Sequence, residues 1–149
     1  MKGKRVLPPT YLFLSIVVMV AFHFLFPLAK VITLPWNVLG VIPLASGIVI
    51  DLVADKAFKK RGTTVKPFEE STALITSGVF RVSRHPMYLG FVLILTGAAV
   101  FMGSLMPYAV IIVFAVVMDV VLIRVEEQML EEKFGEVWLE YKGKARRWI

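Results

Sequence analysis

The chain has no cysteine, and its 149 residues carry 11 acidic side chains against 17 lysines and arginines. Without a thiol, a disulfide, a thiolate metal site and a Cys nucleophile are all excluded. Also missing is the Gly-rich strand-to-helix turn by which soluble folds cradle dinucleotides. No internal repeat and no low-complexity tract interrupts the chain. The nearly unbroken apolar run between Gly90 and Glu126 has no water-facing helical stripe.

What is present is an excess of apolar residues. The chain is 58% hydrophobic with a mean hydropathy of +0.76, above the roughly 45–50% apolar content of a soluble domain. The excess falls into four stretches: Tyr11–Ala29, Trp36–Ala54, Tyr88–Met106 and Pro107–Ile123. At about 1.5 Å rise per residue, each is long enough to cross a hydrocarbon core of about 30 Å. The first is too long for a leader's apolar core, and no small-x-small cleavage site follows it. The expectation is an all-α integral membrane protein with about four transmembrane helices in one domain, residues 1–149.

Charge predicts orientation. Lys30 alone lies between the first and second stretches. Lys2, Lys4 and Arg5 precede the first; Lys56, Lys59, Lys60, Arg61, Lys66, Arg81 and Arg84 follow the second; the remaining basic residues follow the fourth. The positive-inside rule then places both termini in the cytoplasm. The net charge of +6 is thereby a topology signal, and nucleic acid is not an expected partner. Basic residues at helix ends can also hold anionic lipid head groups.

The connections are unequal. Gly103-Ser104 and Pro107 allow only an antiparallel hairpin between the third and fourth stretches. The loop Asp55–Ser83 is long and rich in turn signals, including Gly62-Thr63-Thr64, Lys66-Pro67 and Thr76-Ser77-Gly78. Its apolar residues, Val65, Phe68, Leu74, Ile75, Val79 and Phe80, predict a segment lying on or under the membrane surface. After the fourth stretch, Glu126–Tyr141 reads as a helix continuing into the cytoplasm, with a bend at Gly135.

Among isolated polar residues, His23 is expected to make an interhelical hydrogen bond. Asp51 is expected to snorkel or pair with Lys56. Asp119 stands five residues before Arg124, a spacing that does not bring two residues to one α-helix face, so it calls for a partner from another helix or a bound ligand.

Two clusters at helix ends point to a site, because groups held at the edge of lipid are costly. Pro86 disfavours helical geometry at His85 and favours a helix start at Pro86 or Met87. His85 is thereby left beside free backbone N–H groups able to hold an anionic or oxygen-rich ligand. Tyr88 adds a ring and a hydroxyl one turn on, and Gly90 permits close approach. Glu126 and Glu127 end the antiparallel neighbour on the same side. Adjacent helical residues diverge by about 100°, so one acid faces the pocket and the other meets solvent or a loop arginine. An interfacial His beside a solvated acidic face is the bland alternative.

Arg84-His85-Pro86-Met87-Tyr88-Leu89-Gly90, followed by Glu126-Glu127-x-x-Leu130-x-x-x-Phe134-Gly135, Tyr141 and Arg147-Trp148-Ile149, resembles the isoprenylcysteine carboxyl methyltransferase family, related to the phospholipid methyltransferases. The likeness runs from about Gly62 to the C-terminus. Trp138 and Ala145 depart from it, standing where Tyr and Val are usual.

The resemblance implies S-adenosylmethionine as methyl donor and a lipid-like or prenylated acceptor reached through the bilayer. It implies that the cytosolic loop and C-terminal helix form the cofactor site. His85, Pro86, Met87, Tyr88 and Gly90 would line the cofactor, with Glu126 and Glu127 meeting its amine or ribose hydroxyls. A carboxylate acceptor would need Arg147 or Arg84 to orient it. A thiol or amine would need a base, Glu127 or His85, and the choice stays open. Two rivals stand beside this reading: an NADPH-dependent sterol-reductase-like enzyme, which shares the Arg-His-Pro-x-Tyr-x-Gly signature, and a non-enzymatic membrane subunit.

Overall fold

Proline and glycine set the ends of the helices. The computed structural model describes residues 6–64, 66 and 69–149. It contains α1 (Pro8–Leu25), α2 (Val41–Arg61), α3 (Pro86–Met102), α4 (Met106–Val117), α5 (Arg124–Phe134) and α6 (Glu136–Lys144). Lys2, Lys4, Arg5, Val65, Pro67 and Phe68 lie outside the described residues. Helices α1, α3 and α4 each carry proline in the first two positions, where a missing N–H costs nothing. α1 stops at Leu25 and not at Ala29 as expected, because Pro27 disfavours helical geometry at Phe26. α2 runs on past Ala54 to Arg61. Its last turns are long-chain helix formers, braced by a Lys59–Asp55 pair at 2.5 Å.

Three helical stretches are long and apolar enough to cross a membrane: Pro8–Leu25, Trp36–Arg61 and Met106–Phe134. α3 is a shorter apolar helix of 17 residues. Their outward faces expose Phe13, Phe24, Leu52, Ile112 and Val113, as expected for helices solvated by lipid. Helix α2 lies along α3, while α1 lies against α4 and α3. The α2–α3 contact is a glycine seam. A Cβ on Gly40 would meet the Gly97 carbonyl, one on Gly47 the Gly90 carbonyl, and one on Gly90 the Asp51 carboxylate. Small residues let membrane helices approach at backbone distance.

The tight turn between α3 and α4 rests on Gly103, whose φ of 67° suits glycine. Its carbonyl accepts N–H bonds from Val31 and Ile32. Nearby, His23 bonds Ser104 at 2.7 Å, a hydrogen bond as foreseen for it but made to the α3–α4 turn and not to another helix. At this end of the bundle α1 is thereby tied to the α3–α4 turn.

Between α4 and α5 the helix widens into a π segment, Met118–Ile123. Its i→i+5 bonding brings residues five apart over one another. Arg124 Nε therefore lies 3.4 Å from Asp119 Oδ2, which corrects the expectation that the two are not neighbours. The second Asp119 oxygen takes Arg147 Nη1 at 3.2 Å. Asp51 also departs from expectation. It pairs with no cation among the described residues, and its buried Oδ1 has no hydrogen-bond partner.

Two apolar clusters divide the molecule. One fills the bundle around Met19, Leu95, Phe114 and Leu122. The other, at the end where α2 and α5 finish, gathers Ala54, Ile75, Phe80, Trp138, Tyr141 and Ala145. Ile75 and Phe80 show the loop after α2 folding inward. Gly135, with φ 52°, turns the chain from α5 into α6 so that Trp138 and Tyr141 reach this second cluster. Val137 instead faces outward, 61% exposed.

Candidate functional site

Ser83 begins the site. Its hydroxyl oxygen accepts the His85 N–H at 3.2 Å and its O–H is given to the Arg147 carbonyl at 3.2 Å. The Arg84 N–H donates to the Arg146 carbonyl at 2.9 Å. The turn before α3 is thus stapled to the C-terminal segment. Pro86 then starts the helix, leaving His85 in a non-helical geometry as its N-cap, with φ −126° and ψ 61°.

Glu126 and Glu127 separate as the helical rotation requires. Glu127 is 5% exposed and is held by two guanidinium groups. Arg84 approaches its Oε1 with Nη2 at 2.8 Å and Nε at 3.1 Å. Arg147 reaches Oε2 with Nη2 at 2.6 Å. Arg84 also donates through Nη1 to the carbonyls of Lys142 and Ala145, both at 2.9 Å. Four of its five N–H groups are thereby engaged, and its guanidinium carbon lies 5.8 Å from the Trp138 ring centre.

Glu126 points the other way, into a cavity of about 520 Å³, within the range of roughly 300–1,000 Å³ usual for small-molecule sites. Tyr88 donates its hydroxyl to Glu126 Oε1 at 2.5 Å, and His85 Nδ1 lies 3.3 Å from Oε2. The other ring nitrogen, Nε2, lies 3.4 Å from Glu127 Oε1. Burial pulls the His85 pKa down, but the two carboxylates outweigh burial and raise it above its usual value. Only the imidazolium can donate from both nitrogens. The ring stacks on Tyr88 with centroids 5.8 Å apart.

His85, Pro86, Met87, Tyr88, Glu126 and Arg84 all border this cavity, whereas Gly90, Glu127 and Arg147 do not. The close approach at Gly90 is made by Asp51 of α2, so that glycine faces the helix seam. Glu127 and Arg147 are turned toward each other, and a carboxylate acceptor could use either arginine only by competing with Glu127. Phe80, Leu130, Lys133 and the start of α1 at Leu7 and Pro8 also line the cavity, and no motif pointed to the α1 residues. Ser83 carried a legible signal: a Ser two residues before a backbone N–H it can cap.

The chemistry of the lining suits a ligand with a cationic or hydroxyl-rich part and a flat apolar part. A carboxylate has about four lone-pair sites; Tyr88 and His85 occupy two on Glu126. The remaining two can accept from an ammonium or from sugar hydroxyls. Met87, Leu130 and Trp138 provide apolar wall beside them. Among the described residues no group of His, Asp and Glu is arranged to hold a metal ion.

The family model of phospholipid methyltransferases matches residues 36–137, from the turn before α2 into α6. An uncharacterized protein of Haemophilus influenzae is 38% identical over 63 residues, 42% of this chain and the whole of that protein. Protein-S-isoprenylcysteine O-methyltransferase A of Arabidopsis thaliana is 36% identical over 76 residues, 50% of this chain and 38% of the plant protein. No solved structure matches.

Proposed function

The chain belongs to the phospholipid methyltransferase family and is an integral membrane methyltransferase, and from that premise we propose that S-adenosylmethionine donates the methyl group to an amphipathic, lipid-like acceptor. The observation that carries the reading is Glu126. It is a cavity carboxylate fixed by Tyr88 and His85, with half its accepting capacity free, beside an apolar wall.

The cofactor, when bound, supplies an electrophilic methyl on a sulfonium that is already a good leaving group. The protein's share is then to bind, orient and exclude water. Glu126 holds the cofactor's ammonium or ribose hydroxyls, and Met87, Leu130 and Trp138 pack its flat apolar part. His85, at the cavity wall, orients Glu126 through Nδ1. Glu127, Arg84 and Arg147 act as a clamp that holds the turn before α3 against the C-terminal segment. In this reading the clamp positions His85 and leaves the acceptor's head group to the cavity itself.

The acceptor's reacting carboxylate, thiol or amine sits at the membrane edge, with its tail among the helices. An S-prenylated cysteine methylated on oxygen, as in the plant relative's name, is one member of that class. The deciding experiment titrates the purified protein with S-adenosylmethionine and, separately, with NADPH. Saturable binding of the first alone is expected. Binding of NADPH alone would replace this reading with the reductase-like one.

A further inference from the structure

A second cleft lies outside the cavity, at the point where α2 leaves the bundle. It encloses about 280 Å³ and is bordered by Ala57, Lys60, Arg61, Ile75 and Ser77. We propose that this cleft binds the phosphate head group of an acidic phospholipid.

Charge is the first argument. Neither Lys60 nor Arg61 forms an ion pair among the described residues, whereas Lys59 beside them is taken by Asp55. All 11 carboxylates of the chain's Asp and Glu side chains lie among those residues. The cleft thus holds two cations, a hydroxyl donor on Ser77 and no acid. A phosphate monoanion matches this set. The amine of a zwitterionic head group finds no partner in it.

Position is the second argument. On α2, Val49, Val53, Ala57 and Lys60 follow one another at helical spacing. Val49 is 57% and Val53 43% exposed, on a helix apolar enough to span the membrane. An acyl chain can run along the two valines while its phosphate reaches Lys60 and Arg61 at the end of the same strip. Ala57 and Ile75 give the cleft an apolar floor where head group and chain meet.

The cleft backs onto the larger cavity. Ile75 borders both, and it is buried in the cluster that contains Phe80 and Trp138. A lipid seated on Lys60, Arg61 and Ser77 would brace the loop segment that walls the cavity.

The test uses the full chain, delipidated in neutral detergent and titrated with phosphatidylglycerol or phosphatidylcholine, with retained lipid counted by native mass spectrometry. Its readout is lipid binding, so it stands or falls independently of the methyltransferase reading. Phosphatidylglycerol should be retained in preference to phosphatidylcholine. Lys60→Gln with Arg61→Gln should weaken its binding by about tenfold to thirtyfold, at about 1 kcal/mol per basic residue. Lys142→Gln with Lys144→Gln removes the same charge elsewhere and should change it less than about twofold. Should the first pair fail to fold, Ser77→Asp places an anion in the cleft and should weaken binding similarly. Equal loss in both double variants, or no loss in either cleft variant, would overturn the site. Displacement of the lipid by millimolar glycerol phosphate would overturn the lipid assignment in favour of a soluble phosphate ligand.

Discussion

Glu126 and Glu127 differ by one position and a rotation of about 100°, and that rotation separates their duties. Glu126→Gln should weaken S-adenosylmethionine binding by roughly ten- to a hundredfold, the worth of a charge-assisted hydrogen bond of about 1.5–3 kcal/mol. Its melting temperature should fall less than that of Glu127→Gln, because the side chain borders the cavity and pairs with no guanidinium. Glu127→Gln leaves Arg84 without its anion and Arg147 with Asp119 alone. A broken buried pair costs about 3–5 kcal/mol, so a large drop in thermal stability is expected, read by melting in detergent. Equal effects of the two variants on both measurements would contradict this division. His85 adds a pH signature. Its folded pKa is raised above the usual 6.5, so its contribution to stability is fully present below that value. It is lost as pH rises through the higher folded pKa. Comparing the melting of wild type and His85→Gln across pH should show the wild-type advantage shrinking on the alkaline side, and a constant difference would sink the idea.

At the scale of elements, the α2–α3 seam and the π segment carry most of the positional information. Gly90 shares its face with Asp51, so Gly90→Ala forces a methyl against a carboxylate and within 2.9 Å of the Gly47 carbonyl. Overpacking of this kind costs about 1–3 kcal/mol. Gly90→Ala should lower the melting temperature, and Asp51→Ser in the same chain should restore part of it, since only the side-chain clash is relieved. No recovery would mean that the backbone contact alone sets the cost. In the π segment, the added residue per turn turns Asp119 toward both Arg124 and Arg147. One carboxylate thereby ties the end of the α4 span to the C-terminal segment that covers the turn before α3.

For the whole molecule, the predictions concern the membrane. With 16 of 17 basic residues on one side of a four-crossing arrangement, both termini should be cytoplasmic. A C-terminal reporter active only outside the cytoplasm would reverse the topology. Methyl transfer should strongly favour acceptors with a long apolar tail. Each buried CH₂ is worth about 0.8 kcal/mol, so removing several should cost orders of magnitude in kcat/KM. Equal rates on tailed and tailless acceptors would exclude the lipid acceptor and leave the methyltransferase assignment standing.

Much of this was legible in the sequence because it depends on local physics. Apolar length sets the spans, proline sets the helix starts, and Gly103 and Gly135 set the turns. The one-residue offset of Glu126 and Glu127 already required that they face different surroundings. What faces them was not local. That Glu127 meets Arg84 and Arg147 depends on a C-terminal segment far along the chain returning to the turn before α3. That Gly90 meets Asp51 depends on which helix lies beside α3, and apolar periodicity is silent about neighbours when every face is apolar. Asp119 and Arg124 read as mismatched because an α-helical period was assumed, and i→i+5 bonding replaced it. The sequence by itself therefore determined the helices, their ends and which residues carry charge. The tertiary structure alone decided which charges are spent on one another and which remain free in the cavity, because ion pairs between distant segments form only once packing brings them within a few ångströms.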